Sequence, residues 1–333
     1  MASDLGTQFD LCHVPQPQAA GGINLRLVRS MAKQMRLFDP ELAHIRGLGN
    51  EGFHGVLAAR LAGVPRILVS VHGSVGDLVN GPRTLRRRFV ALVLEPLTLL
   101  LATHVVTVCE DALLKPILRP VRRKVLGVVP NGVDLTTSSA FERLSTRQAL
   151  SIGAEDLVLI IVARLSLDKG HIDLLNALDA LPRNWEVQKH LLVVGDGPDS
   201  DLITEKARSV EGSQIHMLGR RHDVSRLLHA SDIAVLPSLH ENMSNALLEA
   251  MAAGVAVVAS SVGGNTEVIS KGGGILVPPS NPSALGAAIE TLLGNALQRS
   301  ELGQEARGVI EAGYTTEHMK SRLADVYTQI LKG

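Results

Sequence analysis

From end to end the chain alternates short apolar runs with stretches of helical periodicity, and that alternation makes parallel sheets covered by helices the architecture to expect. In the first half, 10–14, 42–45, 66–71, 104–108 and 125–129 read as strands, with helices over 25–37, 53–61 and 83–101. Pro130-Asn131-Gly132 breaks the pattern, and the segment from there to Ser151 reads as a linker. In the second half strands fall at 158–163, 190–194, 215–218, 233–236, 255–259 and 274–277, with helices between. A length of 333 residues suits two domains, and with only 2% aromatic residues aliphatic side chains must fill both cores.

Ligands of such sheets bind at the carboxyl ends of the strands. The polar motifs of the second half all fall there: Arg164 and Lys169 after its first strand, Gly195-Asp196-Gly197 after its second, Glu241 after its fourth and Gly263-Gly264 after its fifth. Ser244 and Asn245 are good N-cap residues, 246–253 is a run of strong helix formers, and Gly254 is a natural stop. Amides of Met243, Ser244, Asn245 and Ala246 should therefore point outward with a helix dipole behind them, a seat for a diphosphate. Glu241 before that helix and Glu249 within it can accept hydrogen bonds from sugar hydroxyls.

Two glutamates at this spacing would by themselves suit a solvated surface unit. In order and spacing, however, VARLSLDKGH (162–171), GDGPD (195–199) and PSLHENMSNALLEAMAAGVAVVASSVGGNTE (237–267) resemble the C-terminal half of the family-4 retaining glycosyltransferases of GT-B fold, from about Val125 onward. The resemblance implies an α/β protein of GT-B type, two Rossmann-like domains facing a cleft. Residues 1–135 would form the acceptor-side domain, 136–315 the nucleotide-sugar domain, and 316–333 a helix crossing back to the first. The implied activity moves a sugar, with retention, from a nucleotide-diphosphate donor to a hydroxyl acceptor on a polysaccharide, glycolipid or lipid-linked glycan.

Residue by residue, the resemblance assigns Arg164 and Lys169 to the donor diphosphate, Glu249 to the ribose hydroxyls and Glu241 to the donor sugar. His72, in Val71-His72-Gly73, corresponds to the family's histidine that meets the sugar from across the cleft. Gly195 and the seat at Met243, Ser244, Asn245 and Ala246 complete the nucleotide site, and backbone near Leu218, Gly219 and Arg220 is expected to hold the base. Uridine, guanosine and adenosine diphosphates all remain open. Asn242 stands where the family often has glycine, so it either adopts a left-handed conformation or the loop bends differently. Glu110 matches a serine-glutamate motif, and Asn131-Gly132-Val133-Asp134 is read as a structural turn.

A departing diphosphate needs its growing charge stabilised, work suited to fixed cations and amide dipoles. No carboxylate stands out as a nucleophile for a covalent route, so front-side displacement is expected, with the leaving phosphate taking the acceptor proton while the domains close. No metal and no cofactor beyond the donor are expected, since no Asp-x-Asp pair ends a strand and Arg164 and Lys169 supply the charge.

The net charge of zero hides an asymmetry: residues 1–150 hold 18 Lys+Arg against 11 Asp+Glu, a balance of +7, and the remainder carries −7. Arg83, Arg86, Arg87 and Arg88 precede an apolar helix, and Lys115, Arg119, Arg122, Arg123 and Lys124 follow it. Such a segment is either a solvated face or a peripheral contact with an anionic membrane. Nucleic acid is a poor fit, because no aromatic residues interleave with the arginines. Cys12 and Cys109 match no metal or redox spacing and suit a cytoplasmic protein, at the inner face of the membrane if the basic segment docks there.

Family members usually begin with a strand, a glycine-rich loop and a helix before the region matching 9–14 here, so a truncated N-terminal domain is expected. Gly21-Gly22 looks like that loop only superficially. The chain would then be a fragment, depend on a partner chain that covers the incomplete domain, or be a degenerate copy, and a non-catalytic or partner-dependent remnant that binds nucleotide sugar without turnover is the alternative function. A dehydrogenase lacks its glycine fingerprint here.

Overall fold

A computed structural model describes residues 23–74, 77, 84–183 and 187–332. The expected strand at 10–14, Cys12, Gly21-Gly22 and Arg83 lie outside these residues. The first sheet holds β1 (Leu42–Arg46), β2 (Arg66–Val71), β3 (His104–Thr107) and β4 (Val125–Val128), all parallel and in that order. The second holds β5 (Leu157–Val162), β6 (Lys189–Val194), β7 (Gln214–Gly219), β8 (Ile233–Leu236), β9 (Ala256–Ser260) and β10 (Gly274–Val277), all parallel in the order β10-β9-β8-β5-β6-β7.

The inner strands β5, β8 and β9 are apolar on both faces because helices cover both, whereas the edge strand β7 is only partly buried. Alternate residues divide cleanly: Val158, Ile160, Leu192, Val194 and Ala234 enter one core, and Leu159, Ile161, Leu191, Val193 and Val235 the other. Strand order reverses between β5 and β8, so these neighbours send their following loops to opposite sides and open a crevice at their carboxyl ends.

The first sheet is covered on one side by the helix Gly49–Ala62 and by a helical run in three parts, Leu85–Phe89, Val90–Leu94 and Glu95–Leu101. The middle part is a π turn, where a continuous α-helix was expected. Pro96 cannot donate the backbone bond an α-helix would require four residues earlier, and the wider turn takes up the missing contact. The opposite face is covered by the helix Thr316–Lys332, whose Ile330, Leu323, Val326 and Tyr327 pack on Leu68, Val106, Leu126 and Val129. Tyr327 Oη lies 2.7 Å from His44 Nδ1, a polar tie within this contact. Two chain crossings between the domains run side by side, Val133 N donating to the Tyr314 carbonyl at 3.0 Å and Thr316 N to the Val133 carbonyl at 3.0 Å.

The segment read as linker contains a helix, Ala140–Ala149, closed at its start by a reciprocal Ser139–Glu142 capping box. Its anchor is Arg147, only 2% exposed, which donates to the carbonyls of Ala230, Ala154 and Asp156 and pairs with Asp232 at 2.8 Å. Because a buried charge and not an apolar stripe docks this helix, hydrophobic periodicity does not reveal it.

Candidate active site

β5 ends at Val162, and Gly195 forces the next loop into shape. A Cβ on Gly195, at φ +144°, would lie 1.9 Å from the Ala163 carbonyl oxygen, so no other residue lets the two loops meet this closely. Beyond Ala163 stand Arg164 and the short turn Leu167–Lys169. Lys169 Nζ reaches across to Glu241 Oε1 at 2.6 Å, and Ser238 Oγ donates to the same oxygen at 2.9 Å. Both partners are largely enclosed, 21% and 13% exposed at their side chains. The Glu241 loop is backed by Gly263, where a Cβ would sit 1.9 Å from the Glu241 carbonyl oxygen.

After that loop Ser244 caps the helix Asn245–Ala252, its Oγ accepting from Leu247 N at 3.3 Å. The first amides of this helix have no intrahelical partner and face the crevice. Lys169, Glu241, Met243, Ser244, Asn245 and Ala246 line one cavity of about 210 Å³ together with Val162 and Ala163. Val162 and Ala163 also wall an adjoining hollow of about 470 Å³, where Arg164, Gly195 and Arg220 stand. Arg164 is the more exposed cation, 58% exposed at its side chain and 3.7 Å from Asp168 Oδ1.

A third hollow of about 630 Å³ continues past Asn245 to Glu249 and to Gly132, Asp134 and Thr316 at the domain crossing. Glu249 is solvent-exposed at its rim, yet the walls around it raise its carboxyl above the ordinary glutamate value by desolvation. The three hollows share lining residues, Val162 and Ala163, Asn245, and Arg221 and Val224, along the carboxyl edge of the second sheet. A separate hollow of about 590 Å³ lies at the opposite end of β6, beside Asp156 and His190, away from all these groups.

Leu218 turns toward the core, and the Gly219 carbonyl accepts from Gly195 N at 2.9 Å, so both lock the loops together, while Arg220 reaches the hollow. His72 follows β2 on the first domain, with Arg46 Nε donating to its Nε2 at 3.3 Å. Burial, then Arg46 and His44, lower its pKa to about 4, so the imidazole is neutral near pH 7.

Three residues gain a place in the site that their sequence context concealed. Asn131, read as part of a turn, donates from Nδ2 to Asn245 Oδ1 at 2.8 Å at the helix start. Lys115, grouped with the outward basic residues, instead points into the cleft and contacts Asp77 Oδ2 and Asn242 Oδ1, each at 2.5 Å. Asn242 is not left-handed; the loop bends differently, and its buried side chain faces the first domain. The one available signal was Asn in a place where glycine is common. Cys109 is buried and its thiol pushed up to about 11 by desolvation, consistent with a packing role.

Two domains built on parallel sheets, with a crevice at the strand-order reversal of the second, match the GT-B fold. The chain belongs to the glycosyl transferases group 1 family, whose model matches residues 142–309, and residues 8–137 match the glycosyltransferase family 4 model. It is 24% identical over 313 residues to N-acetyl-alpha-D-glucosaminyl L-malate synthase of Bacillus anthracis, covering 93% of this chain and 80% of that protein. With UDP-Gal:alpha-D-GlcNAc-diphosphoundecaprenol alpha-1,3-galactosyltransferase of Escherichia coli it shares 27% identity over 263 residues, 73% of this chain and 65% of that one. Among solved structures, Anabaena Alr3699/HepE in complex with UDP-glucose superimposes with a TM-score of 0.76 at 20% identity, over 91% of this chain and 82% of that one. The chain is a glycosyltransferase and uses a nucleotide-sugar donor.

Proposed function

We propose that this glycosyltransferase transfers a sugar with retention from a nucleoside diphosphate, UDP being the first to test, to a hydroxyl of a polysaccharide, glycolipid or lipid-linked glycan. The observation that carries the reading is the single crevice shared by Lys169, Glu241 and the first turn of the helix Asn245–Ala252. The diphosphate sits on those amides with Lys169 as a compact point charge and Arg164 as a planar fork closing from the rim. Glu249 accepts the ribose hydroxyls, Glu241 those of the sugar, and His72, neutral, faces the sugar from the first domain.

Negative charge gathers on the leaving phosphate as the bond to the anomeric carbon breaks. Fixed cations and amides stabilise it, and the departing oxygen takes the acceptor's proton on the same face. This reading needs no metal: activity unchanged by chelator supports it, and full loss restored by magnesium or manganese overturns it. The direct test is calorimetric titration with UDP. Binding that Lys169→Ala and Glu249→Ala weaken at least tenfold is expected, and equal binding by all three proteins would overturn the site.

We further propose that the protein works in the cytoplasm against the inner face of an anionic membrane. The outward face of the helical run beginning at Leu85 carries Leu85 and Leu92, 84% and 71% exposed, beside exposed Arg86 and Arg88. Among the described residues no helix is long and apolar enough to cross a membrane.

A further inference from the structure

Lys115 belongs to the first domain, yet its side chain is only 13% exposed and its ammonium contacts a loop of the second. Asn242, its partner there, is 7% exposed and adjoins Glu241. A Cβ on Gly73 would come 3.0 Å from Asn242 Nδ2, so the end of β2 is shaped to admit this side chain. Asp77 balances the Lys115 charge and lies 3.6 Å from His240 on the second domain. A lysine held this far from water loses hydration and rotamer freedom, losses that a bare surface charge avoids. Its contacts close the cleft beside the residue assigned to the donor sugar.

We propose that Lys115 is a positioning residue: by gripping Asn242 from across the cleft it latches the two domains and sets the Glu241 loop for the donor sugar. This rests on the reading of Glu241 given above. The groups assigned to the nucleotide, Lys169, the amides at Asn245 and Glu249, belong to the second domain, and the first domain meets them through Asn131 and the crossing at Gly132, away from Lys115, so the latch acts on the sugar end of the donor and leaves nucleotide affinity nearly unchanged. Lys115 and Asn242 act as one unit, and removing either has the effect of removing both.

The test is made on the full chain. Spin labels at Leu37→Cys and Leu297→Cys, in a Cys12→Ser background, report the distance between domains. Lys115→Ala, Asn242→Ala and the double variant should each broaden that distance to the same degree, and Lys115→Arg should restore the narrow distribution. In parallel, UDP affinity should stay within about twofold while the KM for UDP-glucose rises about tenfold and kcat falls less. An unchanged distance distribution in Lys115→Ala, or UDP affinity falling as far as that of UDP-glucose, would overturn the latch. A parent that fails to bind UDP tells instead against the donor reading, and the distance measurement still decides the latch.

Discussion

Lys169 and Glu241 meet at 2.6 Å although 72 residues separate them, because the strands that precede their loops, β5 and β8, are neighbours in the sheet. Breaking this enclosed pair leaves Glu241 with Ser238 alone. We predict that Lys169→Ala lowers kcat by roughly 10²–10³-fold, the loss typical of one preorganised donor at a developing oxyanion. Lys169→Arg should recover only part of it, since the fork does not reproduce the point charge. Steady-state kinetics with a donor the parent turns over decides this.

Burial raises the Glu249 carboxyl, so the proton is held to higher pH in the folded chain than in the unfolded one. Between those two values the native state binds more protons, and stability falls as pH rises through the window. Nucleotide affinity should move the opposite way, strengthening as the carboxylate forms. UDP titrations from pH 4 to 7 should show this in the parent and a flat response in Glu249→Gln.

His72 and His44 are both lowered to about 4 from 6.5 by burial and by Arg46. Here the unfolded chain binds the extra protons, so stability is complete above pH 6.5 and is lost as pH falls toward 4. Urea unfolding of the parent should weaken across that range, and His72→Gln should reduce the slope. An identical slope in the variant would contradict the burial described.

Gly195→Ala should displace the Arg164 loop, because its Cβ has no space against the Ala163 carbonyl. Loss of UDP binding of at least tenfold, with the fold kept by circular dichroism, is the expected result.

Contact with an anionic surface should depend on both the apolar ridge and the arginines. Leu85→Ser combined with Leu92→Ser should lower binding to phosphatidylglycerol vesicles about tenfold, and binding by the parent should weaken as salt is raised. Equal sedimentation of parent and variant with those vesicles would remove the membrane from the proposal.

Much of this arrangement is legible from residues alone. Apolar runs such as 233–236 mark strands, Ser244 marks the helix start, and the charged motifs fall at strand ends, so the second domain and the cluster around Lys169 are readable in outline. What cannot be read depends on distant partners. The helix at Arg147 docks through a buried guanidinium, Lys115 shares its sequence neighbourhood with surface arginines and lysines, and Asn131 meets Asn245 only because two domains converge. Local pattern carries no record of which neighbour a charge will find across a cleft.

The packing of Ile330 and Tyr327 on the first sheet has a consequence for biosynthesis. Among the described residues, the helix Thr316–Lys332 covers one face of that sheet, so the first domain is completed only after the second has been made. A stalled nascent chain ending before Thr316 would expose Leu68, Val106 and Val129 to chaperones, whereas its second half could already be compact.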